Sequence, residues 1–279
     1  MKKFTIPRIE FYITNVCNYG CTECNRFNNY KFAGHQRWED YADVMKEWGE
    51  YININFAVIL GGEPLLNPTV TDWVRGLREI WPYDHTGKNP EGGHGFQLLT
   101  NGSRLSQVKG LYEAMRDSQT WLGVSLHNLD DFDSIDSAIR EFYNNDFEEV
   151  TASENRDAGN IGADWFYKKN YLEYAGIWTQ DTFYNSAIKS FDPTGIQLYN
   201  SDPTKAHENC TMRRFKNYHF IEGKIYKCGP AALFPKLDDQ FGIHLSDEDR
   251  EILNSYQPLT IEMAREGLTE EWFNHIDDE

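Results

Sequence analysis

The sequence lacks the features of a membrane or secreted protein. It contains no apolar run of about 18 residues or more, whereas a helix needs about 20 apolar residues to cross a bilayer. Lys2 and Lys3 open the chain, but no apolar stretch typical of a secretory signal follows them. We therefore expect a cytoplasmic protein that has no membrane partner.

Basic residues are scarce. The chain has 27 Lys and Arg against 44 Asp and Glu, which gives a net charge of −17. Nucleic acids and anionic membranes are bound through basic surfaces, so both are disfavoured as partners. One short basic cluster is present at Arg213, Arg214 and Lys216, and it carries little weight against the overall charge. An aromatic content of 15% indicates a globular protein with a sizeable core.

Cysteine is also rare, and it is unevenly distributed. Three of the five cysteines, Cys17, Cys21 and Cys24, fall within eight residues. An odd number of cysteines without a secretory signal argues against a disulfide framework. In a reducing compartment, clustered thiols are more often metal ligands.

Short strands and amphipathic helices alternate through the first 200 residues. Strands are predicted at 8–14, 56–60, 96–100, 121–126, 172–178 and 196–199. Helical spacing is found at 70–81, 105–115, 135–142 and 184–191, with a loop at 83–95 and an irregular segment at 151–170. Six strand–helix units predict an α/β fold with a parallel sheet, either an open doubly wound sheet or a barrel.

The pattern changes near residue 200. A hairpin is predicted over 218–228 with its turn at Gly223, and acidic helical stretches follow around 247–253 and 261–276. We therefore expect two domains, residues 1–200 and a small hairpin-plus-helix extension at 201–279.

The three N-terminal cysteines directly follow the first predicted strand as a CxxxCxxC motif. Three soft thiols suit zinc or an iron–sulfur cluster. Structural zinc sites almost always use four protein ligands, whereas this local set stops at three, so an open metal position is implied. The cysteines alone favour a structural metal and a cofactor-binding cluster about equally.

Two further motifs lie where neighbouring strands end. Residues 61–64 (GGEP) follow the second strand, and residues 100–102 (TNG) follow the third. Together with CxxxCxxC, these motifs resemble those of the radical S-adenosylmethionine (SAM) enzymes. The resemblance covers about residues 6–200 and implies a partial (β/α)6 TIM-like barrel with its site at the carboxyl ends of the strands.

The resemblance also implies cofactors and a reaction. Cys17, Cys21 and Cys24 would bind three irons of a [4Fe–4S] cluster and leave the fourth iron to the amino and carboxylate groups of SAM. One electron from the cluster then cleaves SAM to methionine and a 5′-deoxyadenosyl radical, which abstracts a substrate hydrogen. A reducing partner such as flavodoxin or ferredoxin would supply the electron. The family commonly has an aromatic residue before the third cysteine, where this chain has Glu23.

Five residues are candidates for binding SAM. Gly61 and Gly62 would let the backbone approach the methionyl amino group, and Glu63 offers that cation a carboxylate. Ser125 matches a family position that often contacts the ribose or the methionine carboxylate; the alternative is a strand serine that faces a polar interior. Asn101 contacts the cofactor or only forms the turn that Asn-Gly favours, and the turn is the preferred interpretation.

Cys210 and Cys228 have a spacing that resembles the start of SPASM and twitch extensions, which hold auxiliary iron–sulfur clusters. No cysteine follows them. Three interpretations stay open: a cluster completed by His207, His219 or His244, a lost cluster that leaves two thiols or a small metal site, and a natural chain that continues past residue 279 with the missing cysteines. We favour the third. Two buried core cysteines without a metal are the plain alternative.

The resemblance leaves the reaction open among oxidation, epimerisation and crosslinking of a peptide or small molecule. The barrel begins close to residue 1, which counts mildly against a peptide maturase that depends on a leader sequence. An acidic surface suits a cationic or neutral substrate. His127, Gln180 and Asp181 lie near predicted strand ends, but no catalytic residue is assigned. The alternative function is a non-catalytic metal-binding or redox-sensing protein on a degenerate barrel.

Overall fold

The fold is built around one long sheet. The computed structural model describes residues 3–21, 24–82, 95–152, 164–170, 173–179, 188–192, 195–198, 202–242 and 246–278. The strands in these residues are β1 (Phe4–Tyr12), β2 (Ile52–Leu60), β3 (Gly95–Thr100), β4 (Thr120–Leu126), β5 (Glu149–Ala152), β6 (Trp165–Lys168), β7 (Tyr174–Thr179), β8 (Ile188–Asp192), β9 (Gly195–Leu198), β10 (Asn217–Ile221) and β11 (Lys224–Tyr226).

Helices connect most of the parallel strands. They are α1 (Trp38–Tyr51), α2 (Val70–Ile80), α3 (Leu111–Asp117), α4 (Phe132–Phe142), α5 (Pro203–Glu208), α6 (Thr211–Arg214), α7 (Gly229–Phe241), α8 (Asp247–Ser255), α9 (Ile261–Arg265) and α10 (Thr269–Asp278). No helix in the described part of the chain is both long and apolar enough to cross a bilayer.

Nine strands form the main sheet in the order β11-β10-β1-β2-β3-β4-β7-β6-β5. The six strands from β10 to β7 in this order are parallel, and β11, β6 and β5 are antiparallel at the two edges. The sheet does not close on itself. An α/β fold with an open, mainly parallel sheet confirms the predicted partial TIM-like barrel.

The two faces of the sheet are packed differently because side chains alternate along each strand. On the outer face, residues such as Phe11, Ile59 and Leu98 form one core with the helices between the strands. On the inner face, Tyr12 and Val58 belong to a second cluster with residues of the cysteine loop and α7. The inner cluster therefore joins the N-terminal loop to the C-terminal segment.

Three sequence predictions need correction. The segment 151–170 is not wholly irregular, since it contains the end of β5 and all of β6, which extend the sheet beyond β7. The helix expected at 184–191 is wrong where the chain is described, because residues 188–192 form β8. The predicted strand at 196–199 overlaps β9, but β9 pairs only with β8 in a separate antiparallel sheet.

The sixth parallel strand is instead β10, from the hairpin expected in the extension. The predicted turn is confirmed: Glu222 and Gly223 have φ values of 51° and 82°, as in the two-residue turns that suit hairpins. The edge of β10 away from β11 pairs with β1, with Glu10 opposite His219. The helical stretch expected at 261–276 is divided into α9 and α10 around Gly267, whose φ is 82°.

Candidate cofactor site

The loops that carry the predicted motifs meet at one edge of the sheet. The cysteine loop follows β1, residues 61–64 follow β2, and residues 101–103 follow β3. Because these strands are parallel neighbours, their carboxyl ends lie side by side, which is where open α/β sheets bind ligands. The structure therefore brings the N-terminal motifs together.

The cysteine loop is fastened to the GGEP segment through the backbone. The amide of Gly62 donates to the carbonyl of Thr14 (2.7 Å), and the amide of Glu63 donates to the carbonyl of Val16 (2.8 Å). A Cβ on Gly61 would lie 2.7 Å from the Thr14 oxygen, and one on Gly62 would lie 2.4 Å from the Val16 oxygen. Both glycines are thus required for the contact between the loops, whatever they contribute to binding SAM.

Glu63 links the ends of β2 and β3. Its carboxylate is fully buried and accepts hydrogen bonds from the Thr100 hydroxyl (2.6 Å), the Asn101 amide (2.8 Å) and the Leu65 amide (3.0 Å). Burial raises the pKa of Glu63, and these hydrogen bonds oppose the rise. The carboxylate already has three protein donors. Glu63 therefore has a structural role, in linking β2 to β3, in addition to the expected role near SAM.

Asn101 belongs to both the turn and the cysteine loop. Its Oδ1 accepts from the Ser103 amide (3.0 Å) and hydroxyl (2.6 Å), while its Nδ2 donates to Asn18 Oδ1 (3.0 Å). Asn18 in turn donates to the Ser103 hydroxyl (2.9 Å). No sequence motif singled out Asn18 or Ser103, although a polar residue directly after the first cysteine is a signal that could have pointed to Asn18.

The three N-terminal cysteines are half-buried on their loop. Burial raises the pKa of Cys17 to about 11, and Glu63 and the other two cysteines add to the rise. Burial and the nearby Cys24 likewise raise the pKa of Cys21. The three sulfurs are therefore close enough to affect one another, and three soft thiols suit an iron–sulfur cluster. Within the described ranges, no three Cys, His, Asp or Glu side chains already form a metal-binding group.

Ser125 lies on the inner face of β4, where it is half-buried and its hydroxyl forms no hydrogen bond with the described residues. Aromatic rings share that face: Trp121 lies 5.6 Å from Trp178 and 6.2 Å from Phe56 between ring centroids. These rings lie on the same face of the sheet as Ser125, and no sequence motif pointed to them. The alternation in residues 121–126 was the available signal.

His127, the first residue after β4, is half-buried, and burial lowers its pKa. Its ring lies 5.9 Å from Tyr19 of the cysteine loop in an edge-to-face contact, and the Tyr19 hydroxyl donates to Asp131 at 3.4 Å. His127 therefore lies beside the cysteine loop. Gln180 and Asp181 fall outside the described residues, as does Glu23.

The second pair of cysteines, Cys210 and Cys228, lies near the side of the sheet that β11 forms. Cys228 caps the N-terminus of α7, and its sulfur accepts from the Ala231 amide at 3.4 Å. Burial raises the pKa of Cys228, and the nearby Cys210 adds to the rise. The structure therefore brings Cys210 and Cys228 close together. His207 offers its backbone carbonyl to the Cys210 amide (3.2 Å), and His244 lies outside the described residues.

A buried ion pair that the sequence analysis missed lies beside this second pair. Arg26, two residues after Cys24, binds Glu10 of β1, and the exposed fractions of the two side chains are 12% and 9%. Asn217 also donates to Glu10, at 2.7 Å. Burial opposes ionisation of Glu10, but His219 and Arg26 outweigh it and lower its pKa to about 2. Glu10 is therefore ionised at neutral pH.

His219 continues this network away from Arg26. Burial and the Arg26 charge lower the pKa of His219 to about 3, so its ring is neutral near pH 7 and its charge acts on Glu10 only in acid. Arginine can only donate, so Nδ1 accepts from Arg26 (2.9 Å) and Nε2 carries the proton toward the Met212 sulfur at 3.4 Å. A Cβ on Gly229 would lie 1.7 Å from Arg26 Nη1. The N-terminus of α7 therefore packs directly on the guanidinium, and both ring nitrogens of His219 are already engaged.

Comparison with known proteins identifies the family. Residues 11–153, just over half of the chain, match the family model of the radical SAM superfamily, so the chain belongs to this superfamily. Its members are enzymes that use a [4Fe–4S] cluster and SAM, and the predicted class and cofactors are thereby confirmed. No curated protein sequence matches the chain.

Several solved structures are similar to the chain at low identity. Streptococcus suis SuiB bound to SAM is 16% identical with a TM-score of 0.36, over 51% of this chain and 30% of SuiB. The enzyme anSMEcpe, with bound AdoMet and the Cp18Cys peptide, is 21% identical with a TM-score of 0.35, over 51% of this chain and 40% of that one. A further SuiB structure aligns with 97% of this chain and 66% of SuiB at 11% identity, with a TM-score of 0.39. The chain thus spans less than half of the first two proteins.

Proposed function

We propose that the protein reductively cleaves SAM and uses the resulting radical to abstract a hydrogen atom from a peptide or a small molecule. The observation that carries the proposal is the cysteine loop, which holds three thiols at the carboxyl edge of a parallel sheet and is hydrogen-bonded to the GGEP segment. When bound, the cluster would supply the electron that breaks the sulfonium bond of SAM. The protein's part is to hold and orient the cofactors.

We assign the following roles to individual residues as part of this proposal. Cys17, Cys21 and Cys24 hold the cluster through their sulfurs. The backbone at residues 61–62 receives the methionyl amino group, and Glu63 offers this cation a negative charge from within its three hydrogen bonds. Ser125 on the inner face is free to donate to the ribose or the methionine carboxylate.

Asn101 acts through its neighbours. It joins Asn18 of the cysteine loop to Ser103 of the TNG loop, so it keeps these two loops in register while SAM binds. We propose that its effect on SAM passes through this contact, in agreement with the preference for a turn residue.

We further propose that residues 201–279 form a SPASM- or twitch-like extension in which Cys210 and Cys228 bind an auxiliary iron–sulfur cluster or another metal. The effect of Cys210 on the pKa of the Cys228 thiol, which indicates that the two thiols are neighbours, supports this role. Their remaining ligands would come from His207 or from residues outside the described part of the chain. The chemistry that follows hydrogen abstraction is oxidation, epimerisation or crosslinking.

The test is anaerobic reconstitution followed by counting of iron and sulfide, with 5′-deoxyadenosine measured after addition of dithionite and SAM. Wild type should bind at least about four irons and form deoxyadenosine. Cys17→Ala/Cys21→Ala/Cys24→Ala should lose both the N-terminal cluster and the product.

Cys210→Ala/Cys228→Ala is the matched control, since it removes thiols elsewhere and should keep SAM cleavage. Loss of iron from this variant would support the auxiliary site, and unchanged iron would contradict it. A wild-type protein that takes up zinc, remains colourless and forms no deoxyadenosine would overturn the proposed enzyme in favour of a zinc-stabilised binding protein.

A further inference from the structure

Tyr12, the last residue of β1, carries a hydroxyl that takes no part in the contacts between the motif loops. Its side chain is fully buried and belongs to the inner cluster, together with Phe27 and residues of α7. Cys17 follows five positions later in the chain. The hydroxyl is therefore a polar group in an apolar cluster, at the point where the chain enters the cysteine loop.

Asn28 joins the Tyr12 hydroxyl to the cysteine loop. Its Nδ2 donates to the Tyr12 hydroxyl oxygen (2.9 Å) and to the carbonyl of Asn15 (2.7 Å). On the other side of the same amide, Oδ1 accepts from the Cys24 sulfur at 3.8 Å. The Asn28 side chain is also buried, with only 2% of the residue exposed. Tyr12 and Cys24 therefore flank one buried amide group.

The orientation of the Asn28 amide leaves the Tyr12 proton free for another acceptor. The Asn15 carbonyl can only accept, so it fixes the position of Nδ2, and the Tyr12 oxygen accepts the second proton of this group. The proton of the Tyr12 hydroxyl therefore points away from Asn28. Within the described ranges it has no acceptor. Buried donors are nearly always satisfied, so a further acceptor is expected beside Tyr12.

The sulfurs of the cysteine loop are close enough to supply this acceptor. Burial raises the pKa of Tyr12, and the charges of Cys24 and Cys17 add to the rise. A thiol is a weak acceptor, but a cysteine binds a metal as the thiolate. On binding iron, Cys24 loses the proton that it donates to Asn28, and its sulfur becomes a negatively charged acceptor.

We propose that Tyr12 donates a hydrogen bond to a sulfur on the Cys24 side of the bound cluster and thereby raises the reduction potential of the cluster. This inference rests on the proposed function, which places the cluster on Cys17, Cys21 and Cys24. Reduction adds one electron and makes the sulfurs more negative, so a donor stabilises the reduced cluster more than the oxidised one. The proton stays on Tyr12, and no covalent bond forms or breaks in this step.

The first experiment measures the reduction potential itself. The full chain carrying Cys210→Ala/Cys228→Ala is the parent protein, because it keeps only the three N-terminal cysteines. Its reconstituted cluster is titrated at controlled potentials and followed by electron paramagnetic resonance. Tyr12→Phe should lower the ratio of reduced to oxidised cluster at a fixed potential about three- to tenfold, which corresponds to about 28 to 59 mV in midpoint potential. An assembled cluster with an unchanged midpoint potential would overturn the proposal.

Tyr167→Phe is the matched control. Tyr167 is also a buried tyrosine, and its hydroxyl donates to Asp136 at 2.6 Å. It lies on β6, near the opposite edge of the sheet from β10 and β1, so the midpoint potential should stay at the parent value. An equal shift in both variants would reveal a general effect of losing a buried hydroxyl and would contradict the proposal.

A second replacement keeps the test valid where Tyr12→Phe fails to fold or to bind iron. Placing 3-fluorotyrosine at position 12 by amber suppression retains the hydroxyl and nearly the size of the side chain, but makes the hydroxyl a stronger donor. The midpoint potential should then rise, in the opposite direction to Tyr12→Phe. A merely structural role would change the iron content without this opposite shift. An unchanged or lower potential in the fluorotyrosine protein would overturn the proposal.

The cleavage of SAM separates this inference from the proposed function. With dithionite, Tyr12→Phe should form deoxyadenosine about three- to tenfold more slowly than the parent, because less of the cluster is reduced. With titanium(III) citrate, a stronger reductant, its rate should approach that of the parent. Equally slow cleavage with both reductants would assign Tyr12 a structural role and overturn the proposal. A parent protein that assembles its cluster but forms no deoxyadenosine would reject the proposed function, while the midpoint potentials would still decide the role of Tyr12.

Discussion

The two groups of cysteines are held by different kinds of contact. Cys17, Cys21 and Cys24 lie on a loop that neighbouring loops grip through backbone hydrogen bonds and two glycines. Cys210 and Cys228 lie beside a buried ion pair, and one of their sulfurs caps a helix.

The two groups of cysteines therefore differ in how far the side chains around them can be exchanged. Around the N-terminal cysteines, close backbone approach matters and side chains mainly orient the loops. Around the second pair, charge and burial matter, because the buried carboxylate of Glu10 is stabilised only by its charged and hydrogen-bonded partners. Arg26 belongs to both regions, because it follows Cys24 in the chain and packs on α7 beside Cys228. Substitutions can therefore test whether the two regions act as one unit.

Arg26→Met should have the largest effect on stability and is the strongest test of whether the two cysteine regions act as one unit. It leaves Glu10 buried without its cation, which costs about 3 to 5 kcal/mol for a buried pair. Both cysteine regions should loosen together, and urea unfolding should show the loss. Arg37→Met is the control, because Arg37 pairs with Glu39 on the surface and should change stability little. A small loss in Arg26→Met would mean that the two regions are independent.

Acid should weaken the second region first. Because the pKa of Glu10 lies near 2, below its ordinary value of 4.5, the folded protein binds its proton more weakly than the unfolded chain does. The stabilisation from Glu10 is therefore present above about pH 4.5 and lost as the pH falls toward 2. Unfolding free energies measured across this range should decline less steeply in Glu10→Gln than in wild type. Equal slopes would show that Glu10 does not contribute.

Gly62→Ala should damage the first region alone. The added Cβ meets the Val16 carbonyl at 2.4 Å, so the cysteine loop must move, at a cost of about 1 to 3 kcal/mol. SAM cleavage should fall at least about tenfold, as misplaced reacting groups are costly. Gly20→Ala is the control in the same loop, where a Cβ would meet only Lys31 Nζ, at 3.9 Å. Equal effects of both changes would refute the role of the loop contact.

Cys228→Ala sharpens the description of the second pair. Loss of the cap of α7 should cost about 1 kcal/mol, while Cys228→Ser should restore most of this because serine is a good N-cap. Thermal unfolding measures the cap, and iron counting measures metal binding independently. A serine variant that is stable but has lost iron would assign both roles to this sulfur. A serine variant as unstable as the alanine variant would argue against the cap.

Ser125→Ala should have the smallest effect on stability. The Ser125 hydroxyl forms no hydrogen bond within the described residues, so unfolding should be unchanged. If its hydroxyl contacts SAM, the dissociation constant of SAM should rise about 3- to 10-fold, as expected for one hydrogen bond. Ser106→Ala, at an exposed position outside the site, should leave SAM binding unchanged. Unaltered affinity in Ser125→Ala would make it a strand residue without a cofactor role.

The sequence predicted the motif loops well because each lies where a continuous apolar strand stops. The strands before residues 17, 61 and 101 are long enough for their pattern to be clear. The sequence was less informative where helices and strands are short. β6 has four residues, and the spacing of residues 188–191 suited a helix, although pairing with β9 decides for a strand. Helices α1 and α7 were not predicted, although Trp38, Tyr41, Met45 and Trp48 already show helical spacing.

Only the motifs of the site could be predicted from the sequence. Three cysteines and two glycines identify a cofactor edge, but nothing local indicates that Glu10 and Arg26 would meet His219. That contact depends on the pairing of β10 with β1, which joins segments that lie far apart in the chain. Periodicity describes single elements, whereas strand order is decided by tertiary packing.

The pairing of β10 with β1 also constrains how the protein is made. Glu10 leaves the ribosome more than 200 residues before His219, its partner in the sheet. At about 5 to 20 residues per second, one edge of β1 remains unpaired for on the order of 10 to 40 s. An open strand edge of this kind favours association with other chains, and such distant pairing slows folding. The nascent chain is therefore exposed to aggregation while the residues between β1 and β10 are made, and the packing of the cysteine loop against α7 is completed only after β10 has been translated.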